Sequence, residues 1–465
     1  MTVSCPALFI AAPASGEGKT TITAALARLH ARSGKVVRVF KTGPDYLDPQ
    51  VLAKASGQAV LQLDLWMAGA DYCRQKLYEA ATVADLILIE GAMGLFDGEP
   101  SSADLAALFG IPVALVMDVK GMAQTAAAVA TGLANYRDDF RVYGLIANNC
   151  GSERHRELIQ SALPDDLPLL ASFKRDEAVA LPERHLGLVQ PDEVRPDELE
   201  QRFDAGADCF IGTALAELPP ALEFNLPSLP LTLKPSVTQL LSGVSIGIAN
   251  DAAFSFIYQA NLDLLAAMGA NIVNFSPLND ATLPAVDALW LPGGYPELHA
   301  EALANNIAMK EAIKHFAQAQ KPILAECGGF LYCLDTLSDL EGRTHTMLGI
   351  LNGDGAMRGK RGCQGMQTAP LLEGEVRGHA HHRSRSDMGL KPYSHGRRQR
   401  HTAPGEAIYR EAGITASYLH LFFPSNPEAV AALFLQPKNT INQKLAGDTC
   451  SKPRSVSRST ERQKA

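Results

Sequence analysis

A loop near the start of the chain has the residue types and the spacing that bind phosphate. Residues 12–21 follow an apolar run and open an alanine-rich helical pattern, so their backbone N–H groups lie at a helix start, where anions bind. Lys19 adds a positive charge, and the Thr20 hydroxyl can ligate Mg²⁺. Pro13 replaces the first glycine of the usual pattern, and a turn without a ligand is the minor alternative. The residues predicted to bind the nucleotide are Ser15, Gly16, Gly18, Lys19, Thr20, Thr21, Lys41 and Asn148.

Acidic residues follow the predicted strands that surround this loop. Glu90 closes a very apolar strand, so it stands where a second carboxylate would hold Mg²⁺ opposite Thr20. Asp45, Asp48 and Asp97 lie in loops with Gly and Pro, where turn-forming acids are also common. Thr20, Asp45 and Glu90 are the predicted magnesium ligands.

A second group of residues, late in the chain, could do nucleophilic chemistry. Cys327 follows a predicted strand at 321–326 and precedes a helix that starts at glycines, and a helix N-terminus favours the thiolate. Gly294 and Gly328 could donate backbone N–H groups to a developing oxyanion. His420 is the leading general base, although a histidine in an apolar segment is usually a core residue.

Histidines and basic residues cluster in the same part of the chain. His379, His381 and His382 adjoin arginines, and their spacing matches no metal pattern well, so we expect them to line a site as polar groups. Further basic runs lie at 358–361 and 396–401. Each run alone is typical of a solvated loop, and together they could sit over a polycarboxylate.

The composition sets limits on the class of protein. The chain has 465 residues, of which 46% are hydrophobic and 20% charged, as in a globular protein of two or three domains. The net charge of −8 argues against a general nucleic-acid binder. Its 8 cysteines form no CxxC pairs, which suits a reducing cytoplasm. We find no signal-peptide pattern and no membrane-length apolar run, so a cytoplasmic protein without membrane contact is expected.

The chemistry-bearing residues follow strands that alternate with helical patterns. Strands are predicted at 7–11, 35–40, 85–90, 112–119 and 142–147. This alternation predicts an α/β fold with a doubly wound, largely parallel sheet. Asn148 follows the fifth strand, where it could read a base or serve ordinary turn chemistry.

A change of composition divides the chain. We predict a first domain at 1–222, a Pro- and Leu-rich linker at 223–242, a second α/β domain at 243–435 and a basic, disordered tail at 436–465. In the second domain, strands are predicted at 244–249, 271–275, 288–291 and 321–326.

These motifs together resemble a known family. The chain is similar to the cobyrinic acid a,c-diamide synthases of cobalamin biosynthesis over nearly its whole length apart from the tail. The first domain then resembles the dethiobiotin-synthetase type of phosphate-loop fold, and the second resembles a class I glutamine amidotransferase. The resemblance rests on residues 12–21, 41–49, 90–98, 181–188, 325–330 and 417–420.

The resemblance implies a reaction and its partners. The first domain would use ATP and Mg²⁺ to phosphorylate a side-chain carboxylate of the corrin ring. Ammonia from L-glutamine, released in the second domain, would then displace the phosphate. Cys327 would attack the glutamine amide, His420 would carry the proton, and Gly294 and Gly328 would hold the oxyanion. The residues implied to contact the corrinoid polycarboxylate are Tyr46, Leu47, Asp48 and Asp97.

One position departs from the broader amidotransferase pattern. Those enzymes often place a glutamate two residues after the histidine, and here Phe422 stands there. A backbone carbonyl would orient His420 instead, or the pair would act as a dyad. The family that the chain resembles shares this omission, so we expect an active glutaminase.

Several alternatives stay open at this level. The acceptor could be cobyrinic acid, hydrogenobyrinic acid or, more remotely, a nickel tetrapyrrole. The order of amidation and a homodimeric state also stay open. A phosphate-loop ATPase that positions other proteins, with a silent second domain, is a more remote reading. Partitioning ATPases of that kind usually carry an extra lysine where Ser15 stands. A regulatory module with an inactive cysteine turn is the other remote reading.

Overall fold

The first half of the chain alternates strands and helices. The computed structural model describes residues 1–184, 187–188, 194–227, 237–359 and 362–436. The predicted tail beyond 436, the middle of the predicted linker and part of the 181–188 motif lie outside the described residues. The elements of this half are β1 (Thr2–Ala11), α1 (Lys19–Arg32), β2 (Val37–Thr42), α2 (Leu47–Ser56), β3 (Leu61–Leu63), α3 (Ala70–Ala81), β4 (Leu86–Glu90), α4 (Ser102–Phe109), β5 (Val113–Asp118), α5 (Gln124–Ala134), β6 (Val142–Asn148), α6 (Glu153–Gln160), β7 (Leu169–Ser172), β8 (Glu183–Arg184), β9 (Gly187–Leu188), α7 (Pro196–Asp208) and β10 (Ala221–Asn225).

The second half begins with the same alternation and then becomes rich in strands. Its elements are β11 (Ser245–Ala249), α8 (Gln259–Ala267), β12 (Asn271–Phe275), β13 (Ala288–Leu291), α9 (Ala300–Asn305), α10 (Ile307–Gln318), β14 (Ile323–Glu326), α11 (Gly328–Cys333), β15 (Thr336–Ser338), β16 (Thr344–Thr346), β17 (Gly353–Met357), β18 (Cys363–Leu371), β19 (Gly374–His382), β20 (Ser384–Met388), β21 (Ser394–Arg398), β22 (Pro404–Glu411), β23 (Ile414–Ser417), β24 (Leu419–Leu421) and α12 (Pro427–Leu433). Short 3₁₀ helices lie at Ala214–Ala216, Pro296–His299 and Phe423–Ser425.

The first sheet is parallel and covered on both faces. Its strand order is β3-β2-β4-β1-β5-β6-β7. Phe9 and Ile89 pack into one core, whereas Leu8 and Leu88 pack into the core on the opposite face. Because both faces are buried, these strands are apolar at almost every position rather than at every second one. The predicted α/β fold with a parallel sheet is confirmed for this half.

The edges of the first half differ from the sequence prediction. β1 begins at Thr2 rather than at residue 7, because Thr2–Pro6 pair antiparallel with β10. The first residues of the predicted 223–242 linker therefore belong to this sheet. At the other end of that segment, Val237 and Leu241 pack into the core of the second half.

The second sheet combines a parallel part with an antiparallel part. β12-β11-β13-β14-β23 run parallel, and the order continues antiparallel through β22-β21-β18-β19-β24. The sequence prediction contained the strands at 244–249, 271–275, 288–291 and 321–326 but none of the antiparallel extension. A smaller sheet, β16-β15-β17-β20, packs beside it.

The two halves share an apolar core. Tyr258, Ala260 and Phe422 of the second half belong to the same buried cluster as Phe9 of the first sheet. The Phe422 ring meets the edge of Tyr72 with a centroid separation of 5.8 Å. The halves are thus packed together through a shared apolar interface.

Within the described ranges, no helix combines the length and the apolar character needed to cross a membrane.

Candidate active site

One cavity of about 900 Å³ lies between the two halves, and both contribute its walls. Gly18 and Lys19 of the phosphate loop line it from the first half. Cys327, Gly328 and Gly294 line it from the second. The phosphate loop and the cysteine turn therefore open into one space, whereas His420 is not among the residues that line it.

The phosphate loop is shaped by glycine at its junction with α1. Gly18 is the N-terminal cap residue of α1, with φ of 92°, a left-handed conformation that glycine adopts at little cost. A Cβ atom at Gly18 would lie 2.4 Å from Nδ2 of Asn148. Nδ2 of Asn148 donates a hydrogen bond of 2.9 Å to the backbone oxygen of Glu17. Asn148 thus supports the loop from behind and is not among the residues lining the cavity.

Lys19 is held by backbone oxygens from two loops. Its Nζ donates to Ala14 O at 2.9 Å and to Met93 O at 2.8 Å. Burial, and then the charge of Lys41, lowers the pKa of Lys19. A nearby anion would offset both effects, so the loop is electrostatically prepared for phosphate.

A buried charge network lies beneath the loop. Glu90 is fully buried, and its Oε1 accepts from Lys41 Nζ at 2.5 Å and from the Thr20 hydroxyl at 2.9 Å. Lys41 Nζ also pairs with Asp48 Oδ2 at 2.8 Å. Burial opposes the charge on Lys41, yet Asp48 and Glu90 raise its pKa. Burial raises the pKa of Glu90 despite the charge of Lys41.

Three of the predicted site residues, Asp45, Tyr46 and Leu47, lie in the loop before α2 and at the first position of that helix. Asp45 Oδ1 accepts from the backbone N–H of Leu47 at 3.0 Å and of Asp48 at 3.2 Å. Burial, together with the charge of Asp48, raises the pKa of Asp45 to about 7. Tyr46 and Leu47 are buried and line the cavity. Asp45 therefore shapes the loop and also faces the space above it.

Asp97 orders the loop after β4. Its Oδ2 accepts from the backbone N–H of Gly94 at 3.1 Å. A Cβ atom at Gly94 would lie 2.5 Å from the backbone oxygen of Pro13, so this loop and the phosphate loop touch through their backbones. Asp97 is exposed and lines the cavity.

Cys327 lies on a sharp turn between β14 and α11. Its φ is 47° and its ψ −99°, a conformation that non-glycine residues rarely adopt outside functional sites. The backbone N–H donates to Ser417 O at 2.8 Å, and Sγ points to His381 O at 3.9 Å. Burial, and then the charge of Glu297, raises the pKa of Cys327. The expectation of a favoured thiolate is wrong for this state, because burial outweighs the opposing backbone N–H of Gly328.

The two predicted oxyanion glycines approach each other through their backbones. A Cβ atom at Gly328 would lie 2.9 Å from the backbone nitrogen of Gly294. A Cβ atom at Gly294 would lie 2.0 Å from the backbone oxygen of Ala253. Only glycine fits at either position, so two backbone N–H groups can be presented beside Cys327.

His420 is a buried, neutral imidazole. It is 1% exposed, and neither ring nitrogen has a hydrogen-bond partner within the described residues. Burial, followed by the charges of His379, His381 and His382, lowers the pKa of His420. A Cβ atom at Gly293 would lie 2.1 Å from the imidazole Cε1, so the glycine loop packs directly against the ring.

The strand that carries His420 is fixed by a buried carboxyl group. Glu326 Oε1 accepts from the Leu421 backbone N–H at 2.8 Å, and Oε2 accepts from Trp290 Nε1 at 3.0 Å. Burial raises the pKa of Glu326 to about 8, although both donors favour the charged form. Sequence reasoning did not predict that Glu326 fixes this strand. The available signal was its position directly before Cys327.

The histidine cluster lines the cavity, as expected from the sequence. His379, His381 and His382 are all part of the wall. His382 also lies with Cys363 and Glu406 in a group whose ligand atoms are within 4.8 Å of one another. The Arg398 guanidinium lies 3.7 Å from the Cys363 sulfur, and its charge disfavours a cation there.

Basic residues of the second half reach the cavity and the first half. The Arg377 guanidinium donates to Trp66 O at 2.5 Å and lies over the Trp66 ring. Gln399 Nε2 donates to Glu99 O at 3.0 Å. The basic and imidazole side chains that line the cavity beside the histidine cluster are Arg383, Arg398, Arg400 and His401. Of the predicted basic runs, residues 360–361 lie outside the described residues.

Comparison with known proteins identifies both halves. Residues 8–189 match the CobQ/CobB/MinD/ParA nucleotide binding domain family. Residues 245–428 match the CobB/CobQ-like glutamine amidotransferase domain family. The phosphate loop and the cysteine turn fall in these two matched ranges respectively.

Similar proteins cover the chain almost end to end. The hydrogenobyrinate a,c-diamide synthase of Stutzerimonas stutzeri (strain A1501) is 53% identical over 92% of this chain and 98% of its own length. The enzyme of the same name from Pseudomonas aeruginosa is 51% identical over 92% of this chain and 97% of its own length. The cobyrinate a,c-diamide synthase of Herminiimonas arsenicoxydans is 45% identical over 93% of this chain and 97% of its own length. The chain belongs to the family of the hydrogenobyrinate and cobyrinate a,c-diamide synthases.

Proposed function

We propose that this protein amidates the a and c carboxylates of cobyrinic or hydrogenobyrinic acid, with ATP as activator and glutamine as nitrogen donor. The observation that carries the proposal is the single cavity lined by both the phosphate loop and Cys327. Ammonia produced at one wall would be released into the same cavity as the activated carboxylate at the other wall.

In the first half, the substrate carboxylate would attack the γ-phosphorus of ATP. The carboxylate is ionised at neutral pH, so it needs no general base. The new bond joins a carboxylate oxygen to phosphorus, and the bond to ADP breaks, which leaves an acyl phosphate. Lys19 would balance the charge of the transferring group. We assign the nucleotide to the phosphate loop, where Ser15, Gly16, Thr20 and Thr21 share the lining with Lys19.

The residues present fit a magnesium ion. Glu90 Oε1 is paired with Lys41, whereas Oε2 is buried and has no hydrogen-bond partner within the described residues, so this second oxygen is free to ligate a metal ion. Thr20, Asp45 and Glu90 would hold the ion, which would supply charge neutralisation for phosphoryl transfer. Lys41 would keep Glu90 ionised, since their atoms are 2.5 Å apart.

The corrinoid would lie between the two halves. Tyr46, Leu47, Asp48 and Asp97 line the cavity on one side. Arg383, Arg398 and Arg400 line it from the other side, and guanidinium groups suit the many carboxylates of such an acceptor. These basic residues support the assignment of a polyanionic substrate.

In the second half, the Cys327 sulfur would attack the glutamine amide carbon. His420 would take the thiol proton and deliver it to the departing nitrogen, and backbone N–H groups of Gly294 and Gly328 would hold the oxyanion. Water would then release glutamate from the thioester. The ammonia would attack the acyl phosphate and expel inorganic phosphate, which completes one amide.

A direct assay tests the proposal. The protein is incubated with ATP, Mg²⁺, glutamine labelled with ¹⁵N at the amide, and either cobyrinic or hydrogenobyrinic acid. Mass spectrometry should show two labelled amides on at least one acceptor. The relatives at 53% and 51% identity carry the hydrogenobyrinate name and the one at 45% the cobyrinate name, so both acids are compared. Absence of labelled amide from both acids would refute the proposal.

A further inference from the structure

Glu297 is a buried acid beside the cysteine turn that the mechanism does not use. It lies in the 3₁₀ helix Pro296–His299, just after the glycine loop that follows β13. Its side chain is in the wall of the cavity, and the residue is only 9% exposed. Sequence reasoning did not select Glu297. The available signal was its position at the end of a Gly- and Pro-containing loop, residues 292–297, that directly follows a buried strand.

The Glu297 carboxyl group lacks a cationic partner. Among the residues that the structure describes, no Lys, Arg or His forms an ion pair with it, and no other side chain donates a hydrogen bond to it. Burial raises the pKa of Glu297 to about 7, and only its own backbone N–H opposes this effect. A buried carboxylate without a partner is expensive, so a ligand with a positive charge would bind it well.

The 3₁₀ helix that carries Glu297 packs against the cysteine turn, since a Cβ atom at Gly328 would lie 3.0 Å from Cδ of Pro296. After burial, the charge of Glu297 is the largest contribution that raises the pKa of Cys327. Neither ring nitrogen of His420 has a hydrogen-bond partner within the described residues, so Glu297 does not replace the triad glutamate missing at Phe422. In the absence of a ligand, its charge works against the thiolate that the chemistry requires.

A cation beside Glu297 would remove this opposition. L-glutamine carries one cation, its α-ammonium group, at the opposite end from the amide that Cys327 attacks. We propose that the Glu297 carboxylate binds the α-ammonium group of L-glutamine and so places the side-chain amide at Cys327. This assignment rests on the glutaminase activity proposed above.

The assignment has a consequence for the timing of the reaction. Once the ammonium group neutralises Glu297, the largest opposing charge on Cys327 is offset. The thiolate is then less disfavoured when glutamine is present than when the site is empty, and burial continues to raise the pKa of Cys327 in both states. Glu297 thus has two roles: it selects the donor, and in the empty site its charge lowers the reactivity of Cys327.

The test compares two donors in the same variants. Glu297→Gln keeps the shape of the side chain and removes its charge, and Glu297→Asp keeps the charge on a shorter stem. Glutaramate has the same amide and carboxylate as glutamine but no α-amino group. Glutaminase KM and kcat are measured with both donors, and ammonia-dependent amidation is measured in parallel to report on the first half. Glu301→Gln, an exposed acid on α9, is the matched control.

The expected result is a change in donor discrimination. Glu297→Gln should raise KM for glutamine about 10- to 100-fold and remove most of the preference for glutamine over glutaramate. Glu297→Asp keeps the charge, so it should retain part of that preference. It also provides the test if Glu297→Gln proves unstable. Glu301→Gln should behave as the parent. Iodoacetamide should also alkylate Cys327 faster in Glu297→Gln, as followed on its peptide by mass spectrometry.

Two outcomes would overturn the assignment. An unchanged preference for glutamine in Glu297→Gln would show that another group binds the ammonium. A lower kcat with unchanged KM for both donors would make Glu297 a residue that acts on the chemistry alone. Failure of the proposed function looks different, because the parent protein would then amidate neither acid with glutamine or ammonia.

Discussion

The ring of Tyr46 lies 4.6 Å from the imidazole of His420, although the two residues belong to different halves of the chain. The Tyr46 hydroxyl accepts a hydrogen bond of 2.9 Å from Tyr258, and the Tyr46 ring stacks on Phe256 at 5.1 Å. Tyr46 is flanked by Asp45, a proposed magnesium ligand. A movement of this loop on nucleotide binding would therefore press directly on the proposed general base.

We expect glutaminase turnover to rise when ATP and the corrinoid bind, and Tyr46 to transmit the effect. Tyr46→Ala removes the ring beside His420, so the stimulation should fall about 10-fold or more, since small displacements of a catalytic group are costly. Tyr46→Phe keeps the ring and loses only the bond to Tyr258, so it should keep most of the stimulation. Glutamate release is measured with and without the ligands. Equal turnover under both conditions in the parent would contradict the coupling.

Cys327→Ser should separate the two donors. Glutamine-dependent amidation should drop by about 10³-fold or more, because the variant lacks the sulfur nucleophile. Amidation with ammonium chloride should continue, since the first half is untouched. Cys209→Ser, at an exposed position, is the control and should retain both activities. Loss of ammonia-dependent amidation in Cys327→Ser would refute the division of labour between the halves.

Glu90→Gln should give the reverse pattern. It removes the buried charge that faces Lys41 and the oxygen without a partner, so magnesium-dependent nucleotide binding should weaken at least about 10-fold. Amidation should fall with both glutamine and ammonia, whereas basal glutaminase should persist. Magnesium titrations of nucleotide binding and the two donor assays measure these effects. Normal amidation by Glu90→Gln would rule out Glu90 as a metal ligand.

Gly18→Ala should block the nucleotide site by steric conflict. Gly18 and Gly34 have similar φ, 92° and 82°, so both substitutions carry a backbone cost of about 1–2 kcal/mol. Only at Gly18 would the new Cβ meet another residue, Asn148, whereas at Gly34 it would meet none within 4 Å. ATP affinity measured by calorimetry should fall about 10-fold or more in Gly18→Ala and stay unchanged in Gly34→Ala. Equal affinities in the two variants would contradict the assignment.

Glu326→Gln should change how stability depends on pH. Because burial raises the pKa of Glu326 to about 8 from an ordinary value of 4.5, the folded state binds more protons than the unfolded state between these values. The stability contributed by the protonated group is therefore lost as pH rises through that window. The variant lacks this loss, so its unfolding free energy relative to the parent should increase from pH 5 to pH 8. Asp45 and Glu297 are present in both proteins, so their contributions to the pH dependence of the unfolding free energy cancel in the difference.

Urea midpoints of the two proteins at several pH values provide that measurement. Glu301→Gln again serves as the control, because it makes the same chemical change at an exposed position. A constant difference between Glu326→Gln and the parent would show that Glu326 is ionised throughout the window. In that case its two hydrogen-bond donors outweigh the effect of burial.

Local sequence was sufficient where an apolar strand ends in a polar, glycine-containing loop. The phosphate loop, the strand that ends at Glu90 and the turn at Cys327 are all of this kind. The ends of the three preceding strands agree with the prediction, although β1 begins earlier than predicted. Parallel strands buried on both faces give continuous apolar runs, which a single sequence displays clearly.

The antiparallel extension of the second sheet could not be found in the same way. β18 and β19 mix Gly, His, Gln and Arg on a surface that lines the cavity, so they show no clean alternation. The contact of Tyr46 with His420 and the isolation of Glu297 depend on tertiary packing between distant segments. No local pattern reports such relationships, and Tyr46 was assigned only to the corrinoid for that reason.

Phe422 occupies the position at which related amidotransferases often carry a third catalytic group, and here it packs between the halves. Its ring lies against Tyr72 from one half and Tyr258 from the other. Separation of the halves would expose this ring and its neighbours to water. We therefore expect that neither half folds stably without the other. Thermal unfolding of the chain should then be a single cooperative transition. An isolated glutaminase half would need a new polar surface at Phe422 before it could be transplanted to another synthetase.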